Sequence, residues 1–261
     1  MDQYHKILEK YWGYETFRPL QHEIIQSAGA GNDTLALMPT GGGKSITFQV
    51  PVLAKEGLGL VITPLIALMR DQVENLKKRN IEAEAIFSGM SKNEIDTALN
   101  KCLFGKTKFL YISPERLSTE LFKAKLDQMQ VNLIAVDEAH CISQWGYDFR
   151  PSYLNIARVR EYFPDTPVLA VTATATPEVA EDIQKQLKFT KSNLLQKSFE
   201  RKNLIYLVRR MEDKPRYLVN TLTKFKGSGI IYVRNRKKCK EIAQYLRQNR
   251  ISADYYHAGL S

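Results

Sequence analysis

Residues 38–45 run Met38, Pro39, Thr40, Gly41, Gly42, Gly43, Lys44, Ser45. Three glycines in a row let a backbone curl until several N–H groups face one anion. Thr40, Gly41, Gly42 and Gly43 would form that curl. Lys44 offers a point charge to the β- and γ-phosphates, and Ser45 offers a hydroxyl to Mg2+. The run follows an apolar stretch, Thr34–Leu37, and precedes a helix-like one, Ile46–Val50. A helix that starts there adds partial positive charge. The general phosphate-loop pattern has glycine where Met38 stands. The chemistry indicated is the binding of a nucleoside triphosphate, with Mg2+ beside it.

A second pair of groups could act on the same ligand. The apolar run from Asn132 ends in Asp137, Glu138, Ala139 and His140. A strand here would deliver Asp137 to the carboxyl edge of a sheet, where ligands of α/β proteins sit. An aspartate so placed can hold Mg2+, often through water, and Glu138 can orient or deprotonate that water. Gln21 carries an amide donor and an amide acceptor, the pair that reads the N6/N7 edge of adenine. Tyr14 and Arg18 are near enough in sequence to stack on a base.

Positioning such groups takes a sheet, and the chain supplies one. Apolar runs of strand length occur at 58–63, 83–87, 109–113, 132–137, 168–172 and 230–233. Helical spacing lies between them; in 64–79, Leu65, Leu68, Met69, Val73 and Leu76 recur at three- and four-residue steps. Strands that alternate with helices predict an α/β fold with a parallel sheet and helices on both faces. Residues 4–13 predict a first helix, and a second opens between Tyr14 and Gln21 with Pro19 near its start. The polar, basic stretch 188–203 reads as a connector. Beyond it, 214–226 and 236–249 predict helices, and 230–233 and 253–256 predict strands, a single βαβ unit.

The 261 residues are 44% hydrophobic and 25% charged, which is ordinary globular material. No signal-peptide apolar core follows Met1, and no apolar run approaches the roughly 20 residues of a membrane span. Cys102, Cys141 and Cys239 are far apart and show no metal spacing. A reducing compartment without disulfides or zinc is expected. Net charge is +10, unevenly spread. From Glu181 onward there are 19 Lys/Arg against 7 Asp/Glu, and the first 180 residues carry −2. A basic C-terminal part indicates a polyanionic partner.

Taken in order, Phe17-Arg18-Pro19-x-Gln21, Met38–Ser45, Ile62–Val73, Tyr111–Leu117, Asp137–His140 and Val171–Thr176 resemble the motifs of superfamily 2 helicases. The loop from Cys141 to Tyr153, with Trp145, Tyr147, Phe149 and Arg150, is similar to the aromatic-rich loop of RecQ helicases. Tyr256–Leu260 also resembles the RecQ helicase sequence at its own place in the chain, and the resemblance runs from residue 4 to 260. It implies an ATP-dependent DNA helicase moving 3′→5′ on single-stranded DNA, with two RecA-like (P-loop) domains that clasp ATP and Mg2+. Residues 1–200 would be the first, ATP-binding domain, and 201–261 the N-terminal part of the second.

By the same resemblance, Arg18 and Gln21 recognise adenine, beside which Tyr14 could stack, and Lys44, Ser45, Asp137 and Glu138 handle phosphate, metal and water. His140, Tyr147, Thr172 and Thr174 relay nucleotide state. Arg70, Trp145, Phe149, Arg150 and, in the second domain, Arg236 face DNA. Trp and Phe offer the stacking faces that single-stranded bases use, and Arg adds charge; core packing is the competing account of Trp145 and Phe149. The family usually has His where Tyr147 stands, and Tyr carries no proton charge near neutral pH. The family's second domain continues past Leu260 with arginines that reach the γ-phosphate, so residues 1–261 alone are expected to hydrolyse ATP slowly and not to unwind. Single-stranded and partly duplex DNA are the expected partners of a monomer, with no membrane contact. The compartment would be the nucleoid-bearing cytoplasm, or the nucleus in a eukaryote. An RNA helicase of the same superfamily and a nucleotide-dependent binding module without unwinding stay open.

The charge distribution generates a test. Binding to single-stranded DNA should weaken with salt, each neutralised phosphate adding about −0.7 to the slope of log K against log[salt]. A fluorescence titration at several salt concentrations reads the slope; a value near zero would turn the basic half toward something else.

Overall fold

The computed structural model describes residues 2–146, 148–196, 204–225, 227–257 and Gly259. Two compact units divide the chain, residues 1–200 and 201–261.

The first unit begins with two helices, α1 (Gln3–Trp12) and α2 (Gln21–Gly29). Then strands and helices alternate: β1 (Thr34–Leu37), α3 (Lys44–Leu53), β2 (Leu58–Ile62), α4 (Ile66–Lys77), β3 (Ala83–Ile86), α5 (Lys92–Phe104) and β4 (Phe109–Ile112). After β4 come α6 (Glu120–Leu126), β5 (Val131–Val136), α7 (Ile156–Tyr162), β6 (Val168–Thr172), α8 (Pro177–Gln186) and β7 (Leu194–Gln196). The seven strands form one sheet in the order β3-β4-β2-β5-β6-β1-β7, every pair parallel.

Strand residues alternate between two apolar layers, as a period of two requires. Leu60, Ile62, Leu110, Ile112, Ile134 and Val136 face one layer, with Ile95, Phe122, Ile156 and Ile183 from α5, α6, α7 and α8. Val61, Phe109, Tyr111, Leu133 and Ala135 face the other, with Ile24, Phe48 and Met69 from α2, α3 and α4. Both faces are thus covered, which explains why the strands read as unbroken apolar runs. In α4, Met69, Val73 and Leu76 are buried, whereas Leu65 and Leu68 at its start are exposed.

Polar groups fasten this frame at a few points. Asp33, just before β1, accepts from the Val168 N–H at 3.0 Å and from Arg160 Nη1 at 2.9 Å. Arg160 also donates to Leu187 O at 3.0 Å. The pair is buried, its side chains 10% and 5% exposed, and it joins β1, β6, α7 and the end of α8. Inside the sheet, Gln49 Nε2 donates to the Tyr111 hydroxyl, which donates to Gln72 Oε1 at 2.9 Å. That buried chain links α3 to α4 through β4.

The structure corrects four expectations. The second helix starts at Gln21, and Pro19 lies outside it, because Leu20 turns into the left-handed region at φ +73°. The connector 188–203 contains β7, a three-residue edge strand paired with β1; three residues are too few to show a period. In the second unit the helices form, as α9 (Lys214–Lys224) and α10 (Arg236–Gln248). Neither 230–233 nor 253–256 is a strand among the described residues, so the βαβ unit is not there. A helix makes its hydrogen bonds within itself, whereas a strand needs a neighbour, and Ile230 and Tyr232 are 81% and 90% exposed.

Removing one partner of a buried ion pair leaves the other uncompensated, at about 3–5 kcal/mol. Arg160→Ala should lower the unfolding free energy of the first unit by that amount in urea denaturation. A loss below about 1 kcal/mol would show that the pair is solvated in solution.

Candidate active site

In a parallel sheet the loops after all strands leave at one edge. The loops after β1, β2, β5 and β6 meet there, and they carry most of the chemistry-bearing residues.

The loop after β1 needs its glycines for stated reasons. Gly41 and Gly43 sit at φ +77° and +76°, a region that side chains disfavour. A Cβ on Gly42 would meet Pro39 O at 2.8 Å, and one on Gly43 would collide with the Gln21 amide. Lys44 is the first residue of α3, so Lys44 and Ser45 stand at the positive end of the helix. Gln21 is buried and holds the loop: Nε2 donates to Gly43 O at 3.0 Å and to Gly42 O at 3.3 Å, and Oε1 accepts from the Arg18 N–H at 2.9 Å. Arg18 Nη1 donates to Gly41 O at 2.6 Å. A cleft of about 490 Å3 beside the loop is lined by Tyr14, Arg18, Gln21, Gly43 and Ile46 among others.

β5 delivers Asp137 and Glu138 to the same edge. Glu138 Oε1 lies 4.0 Å from Lys44 Nζ, and its Oε2 lies 3.4 Å from His140 Nδ1. Glu138 is held at φ +49°, which costs a non-glycine residue about 1–3 kcal/mol and aims its carboxylate at both. Asp137 is buried, and that burial, with the Glu138 charge beside it, raises its carboxyl to about 6 against the pull of Lys44. The Tyr153 hydroxyl donates to Asp137 O at 2.9 Å. Just past β2, the Thr63 hydroxyl is buried near Asp137 without a well-formed hydrogen bond.

His140 joins this edge to the next loop. Its Nδ1 lies 2.8 Å from Thr172 Oγ1, at the end of β6. That hydroxyl donates to Thr174 O and accepts from the Thr174 N–H, both at 3.3 Å. Burial lowers the His140 pKa, which keeps the ring neutral, while Glu138 works the other way.

The aromatic loop is tied down at both ends and open in the middle. The Arg150 N–H donates to Cys141 O at 2.8 Å, and Ser143 Oγ donates to Asp182 of α8 at 2.6 Å. A Cβ on Gly146 would meet His140 O at 2.8 Å, so the loop turns tightly over the histidine. Trp145 is 80% exposed, which removes core packing as its account. With His140, Thr174 and Thr176 it lines a cleft of about 460 Å3. Phe149 is half-buried. Arg150 Nη2 lies 3.1 Å from Asp148 Oδ2 and holds that carboxyl below its usual range.

A family model described as DEAD/DEAH box helicase matches residues 18–183, more than half of the sequence. This chain belongs to the DEAD/DEAH box helicase family. An ATP-dependent DNA helicase RecQ of Bacillus subtilis (strain 168) is 45% identical over 258 residues, 98% of this chain and 44% of that protein. The RecQ of Haemophilus influenzae is 41% identical over 97% of this chain and 41% of its own length. The resemblance to RecQ helicases therefore holds over nearly the whole sequence, and the chain spans less than half the length of these two relatives. Among solved structures, the DUF1998 helicase MrfA superposes with a TM-score of 0.68 at 18% identity, over 95% of this chain and 41% of that one; it shows the fold alone.

In this DEAD/DEAH box protein, the sheet edge gathers Thr40, Gly41, Gly42, Gly43, Lys44, Ser45, Asp137, Glu138, His140, Thr172 and Thr174, with Tyr14, Arg18 and Gln21 beside them. Arg70 lies over the Phe87 ring, 4.6 Å from its centroid. Arg236, at the start of α10, is exposed and belongs to the second unit. Tyr147 lies outside the described residues. Sequence reasoning assigned no role to Thr63 or Tyr153. Thr63 ends an apolar run at the same edge as Asp137, a signal that could have found it; the bond from Tyr153 to a backbone carbonyl has none. Asp137, the Ser45 hydroxyl and the Thr63 hydroxyl are hard oxygen donors, which suits Mg2+.

A folded carboxyl held above its unfolded value costs stability once it ionises. The cost builds as pH rises from about 4 to 6 and is complete above that. Asp137→Asn should stabilise the magnesium-free protein by up to about 3 kcal/mol at pH 8 and by far less at pH 4. Urea denaturation at both pH values measures it. A variant less stable at pH 8 would mean that Asp137 is well solvated or firmly paired.

Proposed function

We propose that this chain belongs to the motor of an ATP-dependent DNA helicase that moves 3′→5′ on single-stranded DNA and opens duplexes in recombination or repair. Residues 1–200 would be its ATP-binding RecA-like domain, and residues 201–261 would begin the second. The observation that carries this is the meeting of Lys44 and Glu138, 94 positions apart in sequence and 4.0 Å apart in space. The RecQ likeness over 98% of the chain supports DNA over RNA as the polymer.

The residues divide the work. Backbone N–H groups of residues 41–44 and the Lys44 ammonium bind the phosphates and withdraw charge as the γ-phosphoryl leaves. Ser45 and Asp137 would hold Mg2+, which supplies positive charge to the phosphate oxygens. Its charge would also bring the Asp137 carboxyl back to the ionised form. Glu138 orients the attacking water and accepts its proton. Tyr14, Arg18 and Gln21 meet the base. Because the Gln21 amide already bonds the glycine loop, reading a base through it would couple base recognition to loop shape.

Coupling to DNA would run along bonded groups. A change of charge at Glu138 is felt by His140, then by Thr172 and Thr174, and so by the wall of the Trp145 cleft. Tyr147 would join this path. Trp145 and Phe149 would stack on bases, with Arg70, Arg150 and Arg236 on phosphates. Its site of action would be chromosomal DNA, in the cytoplasm of a bacterium or the nucleus of a eukaryote.

Lys44→Ala in the whole protein should abolish ATP turnover, a loss of several kcal/mol in transition-state stabilisation. Trp145→Ala should keep basal ATPase and lose most of its stimulation by single-stranded DNA, since about 1–3 kcal/mol per stacked base is at stake. Phosphate-release assays with DNA and with RNA of matched length decide both. Near-normal turnover in Lys44→Ala would reject the phosphate cradle, and stronger stimulation by RNA would favour an RNA helicase.

A further inference from the structure

The starts of α1 and α2 carry a cluster that the nucleotide site does not use. Asp2 caps α1: its Oδ1 accepts from the His5 N–H at 2.9 Å. The same oxygen lies 2.7 Å from His5 Nδ1, and Oδ2 lies 2.7 Å from Nε2 of His22, in the first turn of α2. Capping needs only the backbone bond; it does not need two imidazoles. The three potential ligand atoms lie within 4.8 Å of one another.

The rings are held in place. Phe17 stacks on His22 at 5.3 Å and 9°, and meets the edge of His5 at 4.8 Å. The side chains of Asp2, His5 and His22 are 38%, 25% and 30% exposed, so an ion can reach them from water. A cleft of about 350 Å3 beside them is lined by His5, Phe17, Arg18, His22 and Glu23 among others. The arginine of that lining, Arg18, donates to Gly41 O.

We propose that Asp2, His5 and His22 form a zinc-binding site. Two imidazole nitrogens and one carboxylate oxygen are a three-ligand zinc set, with water in the fourth position of a tetrahedron. Nitrogen donors favour zinc over Mg2+, which prefers oxygen throughout, so this site and Asp137 select different ions. At present each ring turns a nitrogen to the carboxylate. On binding, those nitrogens give their lone pairs to the ion, and each ring carries its proton on the other nitrogen. Zinc would then cross-link the starts of α1 and α2 and close the segment 13–20, which carries Tyr14 and Arg18. The site stands on its own geometry and does not depend on what the nucleotide cleft binds.

The test is calorimetric titration of the chelator-treated chain with Zn2+, in a Cys239→Ser background that removes the one thiol that is not buried. One equivalent should bind in the micromolar range or tighter. His22→Asn, which leaves the α1 cap intact, should weaken it at least ~10-fold, and His5→Asn/His22→Asn should abolish it. Circular dichroism checks that each variant is folded. Co2+ should give the visible absorption of a tetrahedral site in the parent and not in the double variant. Absence of a tight equivalent in the folded parent, or zinc binding unchanged in the folded double variant, would overturn the site.

Discussion

Each strand of a parallel sheet enters at one edge and leaves at the other, and all seven strands here leave at the same edge. The rest of the structure depends on that constraint. Lys44, Thr63, Asp137 and Thr172 are distant in sequence, yet each stands where its strand ends or the following helix begins. The strand order puts β1 beside β6 and β6 beside β5, which draws the glycine loop, the Asp137–Glu138 pair and the Thr172–Thr174 turn into a single row. Neighbouring loops then need only short bonds to communicate.

That edge is not built for stability. Asp137 is buried with a like charge beside it, Glu138 holds a left-handed backbone, and the Thr63 hydroxyl lacks a well-formed bond. Each opposes folding, and each suits a ligand that brings positive charge and oxygen atoms. The compensation lies at the opposite edge and in the two apolar layers. There Asp33, Arg160 and the Val168 N–H satisfy one another, and every central strand is covered on both faces. Stability and function are thus separated along the strands, with fastening where chains enter the sheet and strain where they leave it.

Much of this was legible in the sequence because its signals are local. The run 168–172 is a strand with the bounds its apolar residues indicate, and most others shift by one residue. The juxtaposition of Lys44 with Glu138 followed from the edge rule and two motifs. What escaped depends on distant partners. β7 is a strand only because β1 offers an edge to it. The runs at 230–233 and 253–256 have strand composition and no neighbour to pair with among the described residues. Leu65 and Leu68 keep a helical spacing while facing out, since periodicity does not say which turns of a helix lie over the sheet. Gln21 carries the right groups for a base, but only the fold shows those groups engaged with the glycine loop.

The exposure of Trp145 has an optical consequence. The chain holds two tryptophans, and the other, Trp12, is half-buried against the α3 side of the sheet. Indole emission shifts to the red in water and is quenched when a base lies flat against the ring. The long-wavelength part of the protein's own fluorescence therefore comes mainly from one loop, the one that covers His140. Light of that colour reports on the aromatic loop without any dye, while the shorter-wavelength part comes from Trp12, which lines the cleft beside the glycine loop.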